Sequence, residues 1–209
     1  MARPRRWRTL CLLLLIVAAT PVYSVNLVSN PSFAGNLNDW VVGSGTSFDP
    51  LIDATGVPGS GSARNTATVT VAGTHVAISQ CIATGPGTYT FGGKIFDPPG
   101  PGVSANGVLR VRWFSGSDCT TGFLSSTLIT GTGVGFVTLS VAVNAPAGTT
   151  HALVIGENTL AGAGTNVTYF DDFVLDNGLA SSVPTLGPFA LIALFVLLAG
   201  MGLAVLLKR

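Results

Sequence analysis

Apolar and polar residues alternate with a period of two through most of the interior of the chain. The runs 66–71 (TATVTV), 75–81 (HVAISQC), 88–96 (TYTFGGKIF), 107–114 (GVLRVRWF), 135–143 (GFVTLSVAV), 151–156 (HALVIG) and 167–175 (VTYFDDFVL) carry β-branched and aromatic residues that suit a pleated surface. PGSGS, GPG, DPPGPG, GSD, GTG and APAG separate them, and these are turn chemistry. No stretch of this region keeps a helical period over three turns. The pattern predicts an all-β fold, two antiparallel sheets packed as a sandwich of about eight strands. In the last run, strict alternation places Tyr169, Asp171, Phe173 and Leu175 on one face and Phe170, Asp172 and Val174 on the other.

Both ends depart from this pattern. Residues 1–24 open with Arg3, Arg5, Arg6 and Arg8, followed by the ten-residue apolar run Leu10–Ala19, too short to span a bilayer. This reads as a cleaved signal peptide, cut after Ser24 or alternatively after Ala19; a retained anchor is the competing reading. From Gly187 to Leu207 no residue is charged, and as a helix these 21 residues rise about 32 Å, the thickness of a hydrocarbon core. Lys208 and Arg209 follow at once, so 187–207 is expected to be a single transmembrane helix with a basic cytosolic end at 208–209. Residues 25–177 then form one domain on the periplasmic side, and 178–186 form a linker.

Charge is sparse and unevenly placed. Charged residues make up 9% of the 209 and hydrophobic ones 47%, with a net charge of +1. All nine acids lie between the two ends, against Arg64, Lys94, Arg110 and Arg112, so this segment carries −5. Four scattered cations in an acidic segment exclude nucleic acid as the main partner. No nucleophile elbow, phosphate-binding loop or HExxH spacing occurs, Glu157 is the one glutamate, and His75 and His151 stand far from other ligand-type residues. Cys11 leaves with the signal. Cys81 and Cys119 remain as an even pair, expected to form a disulfide in an oxidising compartment.

Two resemblances follow from short motifs. Val183-Pro184-Thr185-Leu186, then the apolar span, then the basic end, resembles the IPTL-CTERM sorting signal of Gram-negative surface proteins. Val183 replaces the Ile of that signal, and Phe189-Ala190 replace its Trp-Gly pair. This resemblance implies processing by an exosortase-type membrane enzyme and later release to the outer envelope or exterior. Asn26-Leu27-Val28-Ser29-Asn30-Pro31-Ser32-Phe33 with Gly35 and Trp40, Gln80-Cys81 with Trp113-Phe114 and Cys119, and Tyr169-Phe170-Asp171-Asp172-Phe173-Val174-Leu175 together resemble CenC-type carbohydrate-binding modules of families four and nine. Such modules are jelly-roll, galactose-binding-like sandwiches, commonly with a structural calcium. Ala34 stands where they usually carry an acid, which leaves Asp171 and Asp172, with carbonyls of the opening loop, as the implied ligands. Both acids equally suit hydrogen bonds to loop amides.

Sugar recognition needs flat ring faces and polar groups aimed at hydroxyls. Tyr89, Trp113 and Tyr169 are the candidate rings, and Arg110 and Arg112, on the face of their strand opposite Trp113, are the candidate donors. The competing reading puts Tyr89 and Trp113 in the core and leaves the arginines as solvated strand residues. The sequence thus points to an exported, membrane-tethered envelope protein whose non-catalytic domain contacts glycans weakly. A small polysaccharide-active enzyme and a structural or adhesion protein without a small ligand are the alternatives.

Overall fold

The computed structural model of the protein describes residues 25–99 and 105–177. The expected signal peptide, VPTL linker, apolar span and basic end lie outside the described residues. Among the described residues no helix is long and apolar enough to cross a membrane.

Ten strands run through the described residues: β1 (Val41–Val42), β2 (Thr46–Asp49), β3 (Ser62–Val69), β4 (Gly73–Ala83), β5 (Gly87–Phe96), β6 (Ala105–Phe114), β7 (Phe123–Thr130), β8 (Val137–Ala145), β9 (His151–Leu160) and β10 (Gly164–Asp176). They form two five-stranded antiparallel sheets, ordered β1-β4-β9-β6-β7 and β2-β3-β10-β5-β8. Only β2–β3 and β6–β7 pair as sequential neighbours, so most connections cross from one sheet to the other. The sandwich expected from the alternating pattern is present, with ten strands rather than about eight. The strands beyond the seven alternating runs are β1 and β2, too short to show a period, and β7, whose Ser125-Ser126-Thr127 dilutes its apolar positions.

Between the sheets lies a core built from Phe33, Trp40, Tyr89, Phe91, Trp113, Phe170 and Phe173 among smaller aliphatics. Trp40 packs against Phe173 with ring centroids 4.6 Å apart, and against Phe33 at 5.5 Å. Gly156 of β9 makes room for the Phe170 ring, because a Cβ there would lie 3.0 Å from it. One end of the interior is polar instead. Asn65, Asn158 and Thr168 are fully buried there, and Asn65 donates to Thr46 Oγ1 at 2.8 Å while Asn158 donates to Asn65 Oδ1 at 3.3 Å. Each buried amide is thus matched, as burial requires.

The opening segment is stitched across the sandwich by side-chain amides. Asn26 donates to Phe173 O and accepts from Leu175 N, which ties residue 26 to β10. Gln80 of β4 accepts from Ser29 N at 2.8 Å and donates to Ser29 O and Asp39 O, which ties the same segment to the other sheet. Asn30, at φ 46°, holds the intervening loop through Ala34 N, Asn36 O and Asn38 O. The asparagines of the Asn-Leu-Val-Ser-Asn-Pro motif therefore act as main-chain clamps that let Phe33 and Trp40 enter the core.

In β10 the pairing with β5 shifts between Asp171 and Val174, and Asp172 takes φ 46°. The irregularity changes which side chains share a face. Phe170, Phe173 and Leu175 all point inward and are fully buried, while Tyr169 points outward. Strict alternation through the closing run, with Tyr169 beside Phe173, is therefore corrected by a bulge that period-two reading cannot register.

Cys81 and Cys119 form a disulfide, with Cα atoms 5.8 Å apart. It fastens the loop 115–122, which follows β6, to β4 across the end of β9. Thr150 N donates to Phe114 O and His151 Nδ1 meets Gly116 O at 3.0 Å along the same path. Asp118 folds the tip by accepting main-chain and hydroxyl hydrogen bonds from Thr120 and main-chain and hydroxyl bonds from Thr121, which hold its carboxyl down at about 2. Opening this loop, with its 38-residue separation, should cost roughly 4 kcal/mol on chain-entropy grounds. Denaturant unfolding of a Cys81→Ser/Cys119→Ser variant should show that loss, and an unchanged midpoint would mean that the bond does not constrain the chain.

Candidate functional site

The outer face of the sheet β2-β3-β10-β5-β8 carries the residues best placed to meet a ligand. The register sets Ser47 opposite Arg64, Arg64 opposite Tyr169 and Tyr169 opposite Phe96, one row across four strands. Their chain neighbours Ala63, Phe170 and Ile95 are buried between the sheets, so alternation turns the row toward water. The Tyr169 and Phe96 rings stack, with centroids 5.7 Å and planes 20° apart, and Phe136 adds a third ring 5.6 Å from Phe96. All three rings are half-buried.

Beside this row, Lys94 faces Asp171 on one side and Thr138 on the other. A depression of about 470 Å³ opens here, lined among others by Thr90, Gly92, Lys94, Thr138, Ser140 and Asp172. Its floor depends on Gly92, since a Cβ would lie 2.2 Å from Leu139 O. The loop 50–61 crosses the face at the same level. Ala54 N donates to Asp171 Oδ2 at 2.9 Å, and Lys94 Nζ donates to Ala54 O at 3.3 Å. This loop borders the ring row and buries Asp171 completely.

Burial is the chief influence on Asp171 and pushes its carboxyl up. The N–H groups of Ala54 and Asp172 pull it back in part, the nearby carboxylates of Asp172 and Asp53 push it further, and it comes to rest at about 7. Asp172 is held by Lys94 at 2.8 Å. Asp97, at the polar end of the interior, is also raised by burial, against hydrogen bonds from Thr168 Oγ1 and Gly107 N.

A calcium ion does not fit these residues. The implied ligands were Asp171, Asp172 and loop carbonyls, yet the Lys94 ammonium already bridges the Asp172 carboxylate and the Ala54 carbonyl. Both Asp171 oxygens accept main-chain N–H bonds, from Ala54 and Asp172. Among the described residues no group of three or more His, Cys, Asp or Glu side chains is arranged to hold a metal ion. A fixed cation supplied by the chain does the cross-linking that a metal would do.

The remaining candidates are scattered. Tyr89 and Trp113 are 6% and 1% exposed and pack on each other with centroids 5.3 Å apart, inside the core. They are withdrawn as stacking surfaces, because the two sheets cover both rings. Tyr89 Oη finds its partners in Thr84 Oγ1 and Gly85 O. Arg110 and Arg112 lie on the outer face of the other sheet, around Glu157, which is 1% exposed. Arg110 Nε donates to both Glu157 oxygens at 3.0 and 2.9 Å, and Arg112 stands 3.6 Å away. Of the five sugar-binding candidates, only Tyr169 belongs to the ring row. Phe96, Phe136 and Lys94 were missed. Alternation in TYTFGGKIF does put Phe96 and Lys94 on one face with Thr90, but Phe136 stands at the start of the run 135–143, just ahead of β8.

No family model matches the sequence, and no curated protein matches it. Solved structures share its architecture. A family 16 carbohydrate-binding module aligns over 72% of this chain and 99% of its own, at 16% identity and a TM-score of 0.50. An arabinose-bound α-L-arabinofuranosidase, MgGH51, aligns over 72% of this chain and 26% of its own, at 18% identity and 0.51. The enzymatically active domain of tailspike protein 4 from bacteriophage CBA120 aligns over 72% and 21%, at 15% identity and 0.51. The all-β sandwich is thus a jelly-roll fold of the kind found in a carbohydrate-binding module. The chain spans only about a quarter of the two longer proteins.

Two outcomes test the electrostatics. Asp171 gains its proton near pH 7 when folded but near 3.8 when unfolded, so the folded state holds more protons between those values. Stability from this group should rise as pH falls from about 7 toward 4, with Asp97 acting in the same direction, and Asp171→Asn should flatten the rise. A wild-type stability that is flat across this window would contradict the burial of an ionisable Asp171. The melting temperature should be the same in millimolar calcium and in chelator and should fall in Lys94→Met. A calcium-dependent rise in the wild type would restore the metal.

Proposed function

We propose that the domain is a non-catalytic glycan-binding module of an exported envelope protein, of the CenC-like kind that its opening and closing motifs resemble. The observation that carries this is the row of half-buried rings, Tyr169, Phe96 and Phe136, on the water-facing side of one sheet. Half-buried rings held against rigid strands leave part of their flat apolar faces to water, and pyranose C–H groups pack on such faces. The hydroxyls of Thr90, Thr138 and Ser140 and the Lys94–Asp172 pair lie beside them as hydrogen-bond partners for a sugar. A family 16 carbohydrate-binding module and an arabinose-bound α-L-arabinofuranosidase share this fold, which supports a carbohydrate ligand.

Binding without turnover fits the acids. The one carboxyl raised to about 7, Asp171, is sealed under the loop 50–61 with both oxygens on main-chain N–H groups, so it has no path to a glycosidic oxygen. Export is supported by the basic, then apolar, start of the chain. Tethering and later exosortase-type processing are supported by Val183-Pro184-Thr185-Leu186 ahead of the uncharged stretch 187–207.

The ring row is shallow, so the expected dissociation constants lie between high-micromolar and millimolar, about −6 to −4 kcal/mol. Titration of the domain against a panel of neutral, acidic and amino-sugar polymers should find such a ligand. Tyr169→Ala and Phe96→Ala should each weaken it by about tenfold, roughly 1.4 kcal/mol, with little change in melting temperature. Silence across the panel from the folded protein would turn the reading to a structural surface protein, and cleavage of any polymer would turn it to an enzyme.

A further inference from the structure

The described residues contain four cationic side chains of the Lys or Arg type, and three of them are committed. Lys94 pairs with Asp172, and Arg110 and Arg112 share Glu157. Arg64 is the exception. Among the described residues it has no ion pair, and its Nε is buried without any hydrogen-bond acceptor. Its cross-strand neighbours on the outer face are Ser47 and Tyr169, neither of them an anion. An orphaned, desolvated donor is costly, and it is costlier on a group that stays charged at every physiological pH. The surrounding segment is acidic overall, so Arg64 marks a positive point on a negative domain.

Its position gives the point a use. Arg64 stands directly across from Tyr169 at the head of the stacked pair Tyr169–Phe96, with Phe136 beyond. Directly opposed strand residues have Cβ atoms about 5 Å apart. A group bound against the Tyr169 ring therefore has the guanidinium at its edge. The guanidinium presents a planar fork that matches a carboxylate with two parallel hydrogen bonds.

We propose that Arg64 and the Tyr169–Phe96 pair together select a carboxylate-bearing sugar, so that the ligand is a uronic-acid glycan. This rests on the glycan-binding reading above and narrows it: the ring row accepts the sugar face, and Arg64 accepts the charge.

Titration of the full domain with polygalacturonate, with the same polymer after methyl esterification, with neutral galactan and xylan, and with a sulfated glycan separates the outcomes. Polygalacturonate should bind at least tenfold tighter than the esterified and neutral polymers, and its affinity should fall as salt rises. Arg64→Gln should remove that preference, and Arg64→Lys, which keeps the charge but not the fork, should restore only part of it. Equal binding of esterified and free polymer by the wild type would overturn the selection by carboxylate while leaving glycan binding intact. The esterification comparison needs no substitution, so it decides the matter even if Arg64→Gln fails to fold. Preference for the sulfated glycan would also overturn the uronate assignment. Absence of binding to every polymer would remove the glycan reading itself.

Discussion

The bulge at Asp171–Val174 is the constraint on which the outer face and the core both depend. β10 is the central strand of its sheet, so a change of parity there is felt on both sides. Without the extra residue, Phe173 would follow Tyr169 to the outside and the contact between Phe173 and Trp40 would be lost. With it, Phe170 and Phe173 both enter the core, their rings 6.4 Å apart, and Tyr169 remains outside against Phe96. The main chain freed by the bulge is used: Phe173 N donates to Pro31 O, and the Asp171 carboxyl turns back onto Asp172 N. A single local irregularity thus joins the opening loop, the loop 50–61 and the ring row.

Around the bulge the charges are few and matched. Asp172 meets Lys94, and Asp171 is held by main-chain donors and by a proton near neutrality rather than by a second cation. The other sheet follows a different rule. Its outer face gathers Arg110 and Arg112 on a buried Glu157, whose carboxylate accepts from Arg110 and has Arg112 as a second, more distant cation. The disulfide-fastened loop 115–122 lies toward the end of this face. The two faces therefore differ in kind: one is closed by internal ion pairing, the other is left with open rings and an unmatched guanidinium.

Much of the architecture was legible because alternation, turn chemistry and an even cysteine pair are local signals. The sandwich and the pairing of Cys81 with Cys119 needed nothing beyond them. The site was legible only where a single residue type carried it, as Tyr169 did. Tyr89 and Trp113 looked alike as candidate rings, but membership of the inward face of β5 or β6 is a property of packing against the opposite sheet. Phe96 and Lys94 became part of a site only through register with β10, and register between strands far apart in sequence leaves no mark in either. The cation that occupies the place among the implied calcium ligands is likewise set by register. Lys94 lies 77 residues before Asp171 in the sequence, so its arrival at the bulge could not be read from the closing motif.

A shallow site of this kind can be selective only if little has to move when the ligand arrives. Ordering loose side chains on binding costs about 0.5–1.5 kcal/mol each, a large fraction of a millimolar affinity. Here the rings stand on β5 and β10, both interior strands of their sheet, and they are already packed on each other. Arg64 is on the neighbouring interior strand β3, with its Nε already buried. The desolvation of Arg64 Nε and the ordering of the rings are therefore met by folding rather than by binding. On the reading proposed above, what remains for a ligand to meet is the part of the Arg64 guanidinium beyond the buried Nε, so the chemistry at the edge of the ring row, more than its area, would set what the face holds.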